Sequence, residues 1–241
     1  MEFLEFFEVF GYLFVIIASI YAMIASAQVN STFKKYSTHI SARGLTGAQA
    51  AERVLFANGV TDVRIARTAG NLTDHFNPKD NTIYLSDSVY DSASVAAIGV
   101  AAHEAGHAVQ HAVGYVPIQI RSAIVPITNV GSKLSMPLII IGLLLTAYTQ
   151  NFDYGYEIAL LGVFCYSFCV LFQLVTLPTE FNASRRAVKA LEEGMILDED
   201  ELRGAKKTLK AAAMTYVAAL AVSLLQFLRL FAMVSGGRRR K

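Results

Sequence analysis

Val9-Phe-Gly-Tyr-Leu-Phe-Val-Ile-Ile-Ala-Ser-Ile-Tyr-Ala-Met-Ile-Ala-Ser-Ala-Gln-Val29 carries no charged residue, and none follows until Lys34. A helix needs roughly 20 apolar residues to cross the hydrocarbon of a bilayer, so this run reads as a membrane span. Ala25-Ser26-Ala27 also resembles the cleavage site of a signal peptide. Such a peptide opens on basic residues and has a shorter apolar core. This one is preceded by Glu2, Glu5 and Glu8. The anchor reading is therefore favoured.

Three further runs have the same character: Leu134 to about Asn151, Ile158 to about Thr179, and Ala211 to about Val234. Arg229 interrupts the last, and a charge there must snorkel or find a partner. The whole composition agrees: 54% hydrophobic and 17% charged residues over 241, with a mean hydropathy of +0.42. A formal charge of +2 makes no case for nucleic acid. Cys165 and Cys169 are two small residues on one face of an apolar helix and do not suggest a disulfide framework.

Lysine and arginine near the span ends set the orientation. Lys34, Lys35, Arg43, Arg121 and Lys133 flank the first two spans, and Arg185, Arg186, Lys189, Arg203, Lys206, Lys207 and Lys210 follow the third. The stretches 30–133 and 180–210 therefore share the cytoplasmic side. One feature disagrees: with four spans, Arg238-Arg239-Arg240-Lys241 ends outside.

Between the first two spans, Thr46 and Gln49 form a capping-box pattern and Asn58-Gly59 a stop, which predicts a helix over 47–57. Residues 63–66 alternate as a strand, 77–81 form a turn cluster, and Thr82 to Ser86 read as a second strand. Asp91 or Ser92 can cap a helix over 93–113, closed by Gly114. The charged segment 184–209 has helical spacing and reads as a surface helix beside the membrane.

The helix over 93–113 contains His103-Glu104-Ala105-Gly106-His107. Residues four apart share a helix face, so the two imidazoles can grip one zinc ion. Glu104 is then held where a base for the attacking water belongs. The surrounding alanines, Ile98, Val100 and Val109 leave this polar cluster costly without partners. Gly106 weakens the helix but permits close approach by another element. A catalytic zinc site takes three protein ligands. His111 is a further turn away, and a metzincin would place histidine at Val113. Glu180, at the end of the third span, returns to the side of His103 and is the candidate third ligand.

These residues resemble the neutral zinc metallopeptidases of bacterial membranes of the YugP type. The likeness is carried by residues 70–78 (Gly-Asn-Leu-Thr-Asp-His-Phe-Asn-Pro), 103–110 (His-Glu-Ala-Gly-His-Ala-Val-Gln) and 177–184 (Leu-Pro-Thr-Glu-Phe-Asn-Ala-Ser). It implies a zinc peptidase of the bacterial cytoplasmic membrane and supports Glu180 as ligand. Aspartate is usual in the family where this chain has Asn182, which puts a charged orienting role there in doubt. A zincin-like domain would also make 82–86 an edge strand able to pair with an extended peptide.

The expected protein is mainly α and membrane-integral. It has about four transmembrane helices and a small zincin-like α+β protease domain on the cytoplasmic side. Its parts are an anchor (1–30), the catalytic domain (31–133), a transmembrane hairpin (134–179), the third ligand with a cytoplasmic helix (180–210), and a last span with a basic tail (211–241). The expected function is a zinc-dependent endopeptidase holding one Zn2+ on His103, His107 and Glu180, with Glu104 as general base. Its partners are a polypeptide substrate and the bilayer, with no nucleic acid. No nucleotide is expected, since the chain has no Gly-rich loop ending in Gly-Lys-Ser/Thr. An intramembrane protease of the site-2 type and an inactive zinc-binding scaffold are the alternatives. His75, Tyr90 and Tyr115 are weaker candidates for oxyanion stabilisation, and Gln110 for orienting a ligand.

Overall fold

A computed structural model describes residues 3–149 and 152–239. The chain order is α1 (Phe3–Ser37), α2 (Gly47–Ala57), β1 (Arg64–Thr68), β2 (His75–Asn77), β3 (Thr82–Ser86), α3 (Val95–Ala112), α4 (Val116–Thr149), α5 (Phe152–Glu193) and α6 (Glu199–Arg239). Helices α1, α4, α5 and α6 are each long and apolar enough to cross a membrane. Their most apolar stretches are only 17 to 28% buried. Val9, Tyr12, Leu13, Ile16, Ile17 and Ile20 point outward. So much continuous outward apolar surface calls for lipid rather than water. The fold is thus a mainly α membrane protein with a small α+β part.

Two compact units can be distinguished. The first contains 1–23, 120–177 and 216–241. Ile139, Ala159, Val163, Leu230 and Val234 form its core. A Cβ on Gly142 would lie 2.4 Å from the backbone nitrogen of Ala159, so α4 and α5 touch backbone to backbone. Arg229 finds partners here: its guanidinium lies 4.2 Å over the Tyr12 ring, and its Nε donates to Gln226 Oε1 at 3.2 Å. Met1, Glu2, Gln150, Asn151, Arg240 and Lys241 lie outside the described residues.

The second unit contains 24–119 and 178–215. Its core gathers Val54, Ile83, Leu85, Val89, Ile98, Leu191, Ile196 and Leu202 around the alanines of α3. The capping box at Thr46 starts α2 as its residues predict. The sheet order is β1-β3-β2, with β1 parallel and β2 antiparallel to β3. Strand 82–86 is therefore central rather than an edge, and Ile83 and Leu85, which share one face of it, are wholly buried in the core. The edges are β1 and β2, the latter three residues that a reading of local turn signals misses. The first strand also runs on to Thr68, two residues past its alternating pattern. Ser94, not Asp91 or Ser92, caps α3: its side chain accepts from the Ala97 N–H.

The expected surface helix over 184–209 does not exist as one element. Its first part continues α5 to Glu193 and its last part belongs to α6. Between them Gly194 and Met195, the latter at φ 46°, turn the chain. Ile196 and Leu197 are buried at this turn, which a helix running on at the surface would leave exposed. Glu201 locks the start of α6: its carboxylate accepts from the Asp198 and Ala42 N–H groups and from the Ser41 hydroxyl.

Candidate metal centre

The site lies within the second unit, where α3 crosses α5. Gly106 sets that crossing: a Cβ there would sit 2.6 Å from the Ala183 carbonyl oxygen. Any larger residue would push the helices apart. The contact places Glu180, one turn before Ala183, against the two histidines of α3. Pro178 and Glu180 are inside α5, so Glu180 stands mid-helix rather than at a helix end.

Glu180 Oε2 lies 3.2 Å from His103 Nε2 and 3.4 Å from His107 Nε2. The Glu180 side chain is only 2% exposed, and those of His103 and His107 are 14% and 10% exposed. One donor atom from each of the three residues lies within 4.8 Å of the other two. Among the described residues no other group of three His, Cys, Asp or Glu side chains does so.

The far nitrogens hold the rings in place. Gln110 Nε2 donates to the Thr179 carbonyl at 2.8 Å and to Asn182 Oδ1 at 3.0 Å. Its Oε1 therefore faces His107 Nδ1, 3.0 Å away, and accepts that hydrogen. This leaves the Nε2 lone pair of His107 aimed at Glu180. Ser184 Oγ lies 3.1 Å from His103 Nδ1 and can do the same for the second ring. Asn182 also accepts from Arg186 Nε at 2.8 Å. An amide thus acts at this position, through Gln110, on the orientation of His107.

Glu104 is buried on the same helix, and its Oε2 accepts from the backbone N–H of Phe76 at 3.0 Å. Burial pushes its carboxyl up to about 7; the charge of His103 opposes this, while Glu180 and Asp74 add to it. The strand bearing Phe76 is itself anchored. Asp74 accepts from both the N–H and the hydroxyl of Ser86, and burial pushes the Asp74 carboxyl up.

Other candidates fall elsewhere. The exposed His75 ring stacks on Tyr84, with centroids 5.1 Å apart, and its Nδ1 meets the Thr73 carbonyl. Tyr90 lies under the Arg67 guanidinium. His111 packs against the Phe76 ring at 5.8 Å. Tyr115 is tied to the site only through its backbone N–H, which donates to the Gln110 carbonyl. The Phe76 N–H and Ser184 were missed by sequence reasoning. Ser184 had a signal: it is four residues after Glu180 and so on the same helix face. The Phe76 N–H had none, since a backbone donor leaves no mark in residue types.

A helical membrane protein with a buried His-Glu-xx-His helix facing a second helix's carboxylate is of the class in which a divalent metal serves hydrolysis. The chain belongs to the family described as "Putative neutral zinc metallopeptidase", which it matches over residues 11–235. It is also 41% identical over 215 residues to the "Putative membrane protease YugP" of Bacillus subtilis (strain 168), covering 89% of this chain and 92% of that protein. No solved structure matches it. Zinc is the cofactor of the family. The donors suit it: two imidazole nitrogens, each able to present a lone pair, and one carboxylate match a two-histidine, one-glutamate set of the kind that holds zinc.

Proposed function

We propose that the chain is a membrane-bound zinc endopeptidase, acting on polypeptides at the cytoplasmic face of the bacterial inner membrane. In this reading His103, His107 and Glu180 hold the ion and Glu104 is the general base. The observation that carries it is the convergence of both histidine Nε2 atoms on the Glu180 carboxylate, with each Nδ1 already engaged.

When bound, zinc supplies Lewis acidity and makes water easier to deprotonate near neutral pH. The chain's own residues do the rest. Gln110 and Ser184 fix the ring orientations, which preserves the donor geometry. Glu104, pushed up to about 7, is matched to taking a proton from attacking water and returning it to the departing amine. The Phe76 N–H holds one Glu104 oxygen and leaves the other for that exchange. The cytoplasmic side is supported by the lysines and arginines beside the spans. The intramembrane reading is weakened because α3 is covered by protein and is not among the four candidate spans.

The test is Glu104→Gln in purified protein, with casein cleavage and bound zinc measured together. Activity should fall by about a thousandfold while zinc stays near one per chain. Undiminished cleavage would remove Glu104 as the base. If wild-type protein holds zinc at full occupancy yet cleaves nothing, the inactive scaffold is the correct reading.

A further inference from the structure

A groove away from the peptidase chemistry lies between the end of α1 and the start of α6. It encloses about 400 Å³, with Thr32, Lys35 and Tyr36 on one wall and Lys207, Lys210 and Met214 on the other. Both walls repeat at three or four residues, so each is one stripe of its helix.

The three lysines are exposed and line one groove without a counter-charge, with Lys35 Nζ 5.5 Å from the Tyr36 ring centroid. Among the described residues, none has a carboxylate within ion-pair distance. Three nearby basic residues are paired: Lys189 meets Glu193, Arg203 meets Glu199, and Lys206 meets Glu192. Among the described residues, the side-chain amide of Gln28 and the hydroxyl of Thr32, which also line the groove, have no hydrogen-bond partner. The groove thus presents unused donors and three cations to whatever enters it.

Its polarity is graded. Lys207 and Lys210 stand before the apolar run of α6, while Ala211 and Met214 open that run and line the same groove. On α1, Lys35 follows the end of the first apolar run. One end therefore suits an anion and the other a hydrocarbon chain. A free anion would leave the apolar end unused, and an acidic peptide has no such gradient.

We propose that this groove binds an anionic phospholipid, its phosphate held by Lys35, Lys207 and Lys210 and its upper acyl chain against Ala211 and Met214. Basic pockets between membrane helices are suited to such headgroups. The lipid would bridge α1 and α6 beside the point where they already touch, since a Cβ on Gly204 would lie 2.7 Å from the Tyr36 ring.

The experiment titrates full-length detergent-solubilised protein with phosphatidylglycerol and reads adducts by native mass spectrometry. Lys35→Ala/Lys207→Ala/Lys210→Ala should weaken the tightest adduct about a hundredfold, at roughly a factor of five per lysine. Lys34→Ala/Lys189→Ala/Lys206→Ala removes equal charge nearby and should change it less than about twofold. Equal weakening in both triples would overturn the proposal, because general attraction would then explain binding. Ala211→Phe fills the apolar end with every lysine in place, and undiminished affinity there would also overturn it. Phosphatidylcholine should bind far more weakly than phosphatidylglycerol; equal binding overturns the anion requirement. Millimolar inorganic phosphate should leave the adduct largely intact, and its displacement would make this a free-phosphate site instead.

Discussion

Helix α3 and the first span of α1 are both dominated by apolar residues, yet their surroundings differ. In α3, 14 of 18 residues are buried by protein. In α1 the most apolar stretch is 17% buried, and Ile16, Ile17 and Ile20 face outward. Side-chain size and length separate them. Between Val95 and Val109 α3 is mostly Ala, Gly and Val, which let other helices approach closely, and its 18 residues reach about 27 Å. Helix α1 carries bulky Ile, Phe, Tyr and Leu and reaches about 52 Å over 35 residues. Apolar character says that a helix leaves water. Small residues say that it packs on protein, and only there can a charged cluster find partners.

The sharpest way to break this contrast is Gly106→Val. Two branches at a position 2.6 Å from the Ala183 carbonyl would force α3 and α5 apart. Bound zinc should be lost, and melting should fall by the equivalent of about 3 kcal/mol. Gly11→Ala on α1 is the matched control. Its Cβ would meet Arg229 Cγ at 2.8 Å and Cβ at 3.2 Å, so melting should fall by about 1 to 2 kcal/mol while bound zinc is retained.

Gln110→Ala keeps the close approach at Gly106 but removes the acceptor for His107 Nδ1 together with the bonds to the Thr179 carbonyl and Asn182 Oδ1. Zinc affinity should drop about 10- to 100-fold in a competitive chelator titration. An unchanged affinity would mean that the ring is held by packing alone.

Thiol labelling compares the two helices directly, after Cys165 and Cys169 are replaced by alanine. Cysteine at the exposed Ala112 should react with a water-soluble maleimide about tenfold faster than cysteine at Ile16, which is exposed only toward lipid. Equal rates would place both helices in one environment. In intact cells, protection of Ala112→Cys from an impermeant reagent would support the cytoplasmic side.

A last effect concerns pH in the metal-free protein. The Glu104 carboxyl is raised from 4.5 to about 7, so the folded state holds its proton where the unfolded state has released it. Stability therefore falls as pH rises from about 4.5 to about 7, by at most about 3 kcal/mol. Glu104→Gln should melt a few degrees higher than wild type at pH 8, and the gain should vanish at pH 4. A gain that persists at pH 4 would mean that the carboxyl is not the titrating group.

Much of this was legible from residues alone. Long apolar runs, three of them charge-free, identified four apolar helices, because lipid imposes a length and a composition that few soluble segments share. The capping box gave α2 its start, since Thr46 and Gln49 act on their own backbone. His103, Glu104 and His107 were legible because four-residue spacing is a local property of one helix. Helix boundaries were less so: continuity of α5 from its span past Glu180 to Glu193 depends on neighbours that cover both parts, and charge content alone suggests a break.

Composition, span count and the His-Glu-xx-His register were thus determined by the chain itself, through interactions within about one helical turn or with solvent and lipid. What tertiary structure alone decided were contacts between distant segments: β3 central between β1 and β2, Phe76 reaching Glu104, Gln110 joining His107 to Asn182, and Ala183 seated on Gly106. Each depends on where two backbones meet in space, and residue type at either end leaves that meeting point open.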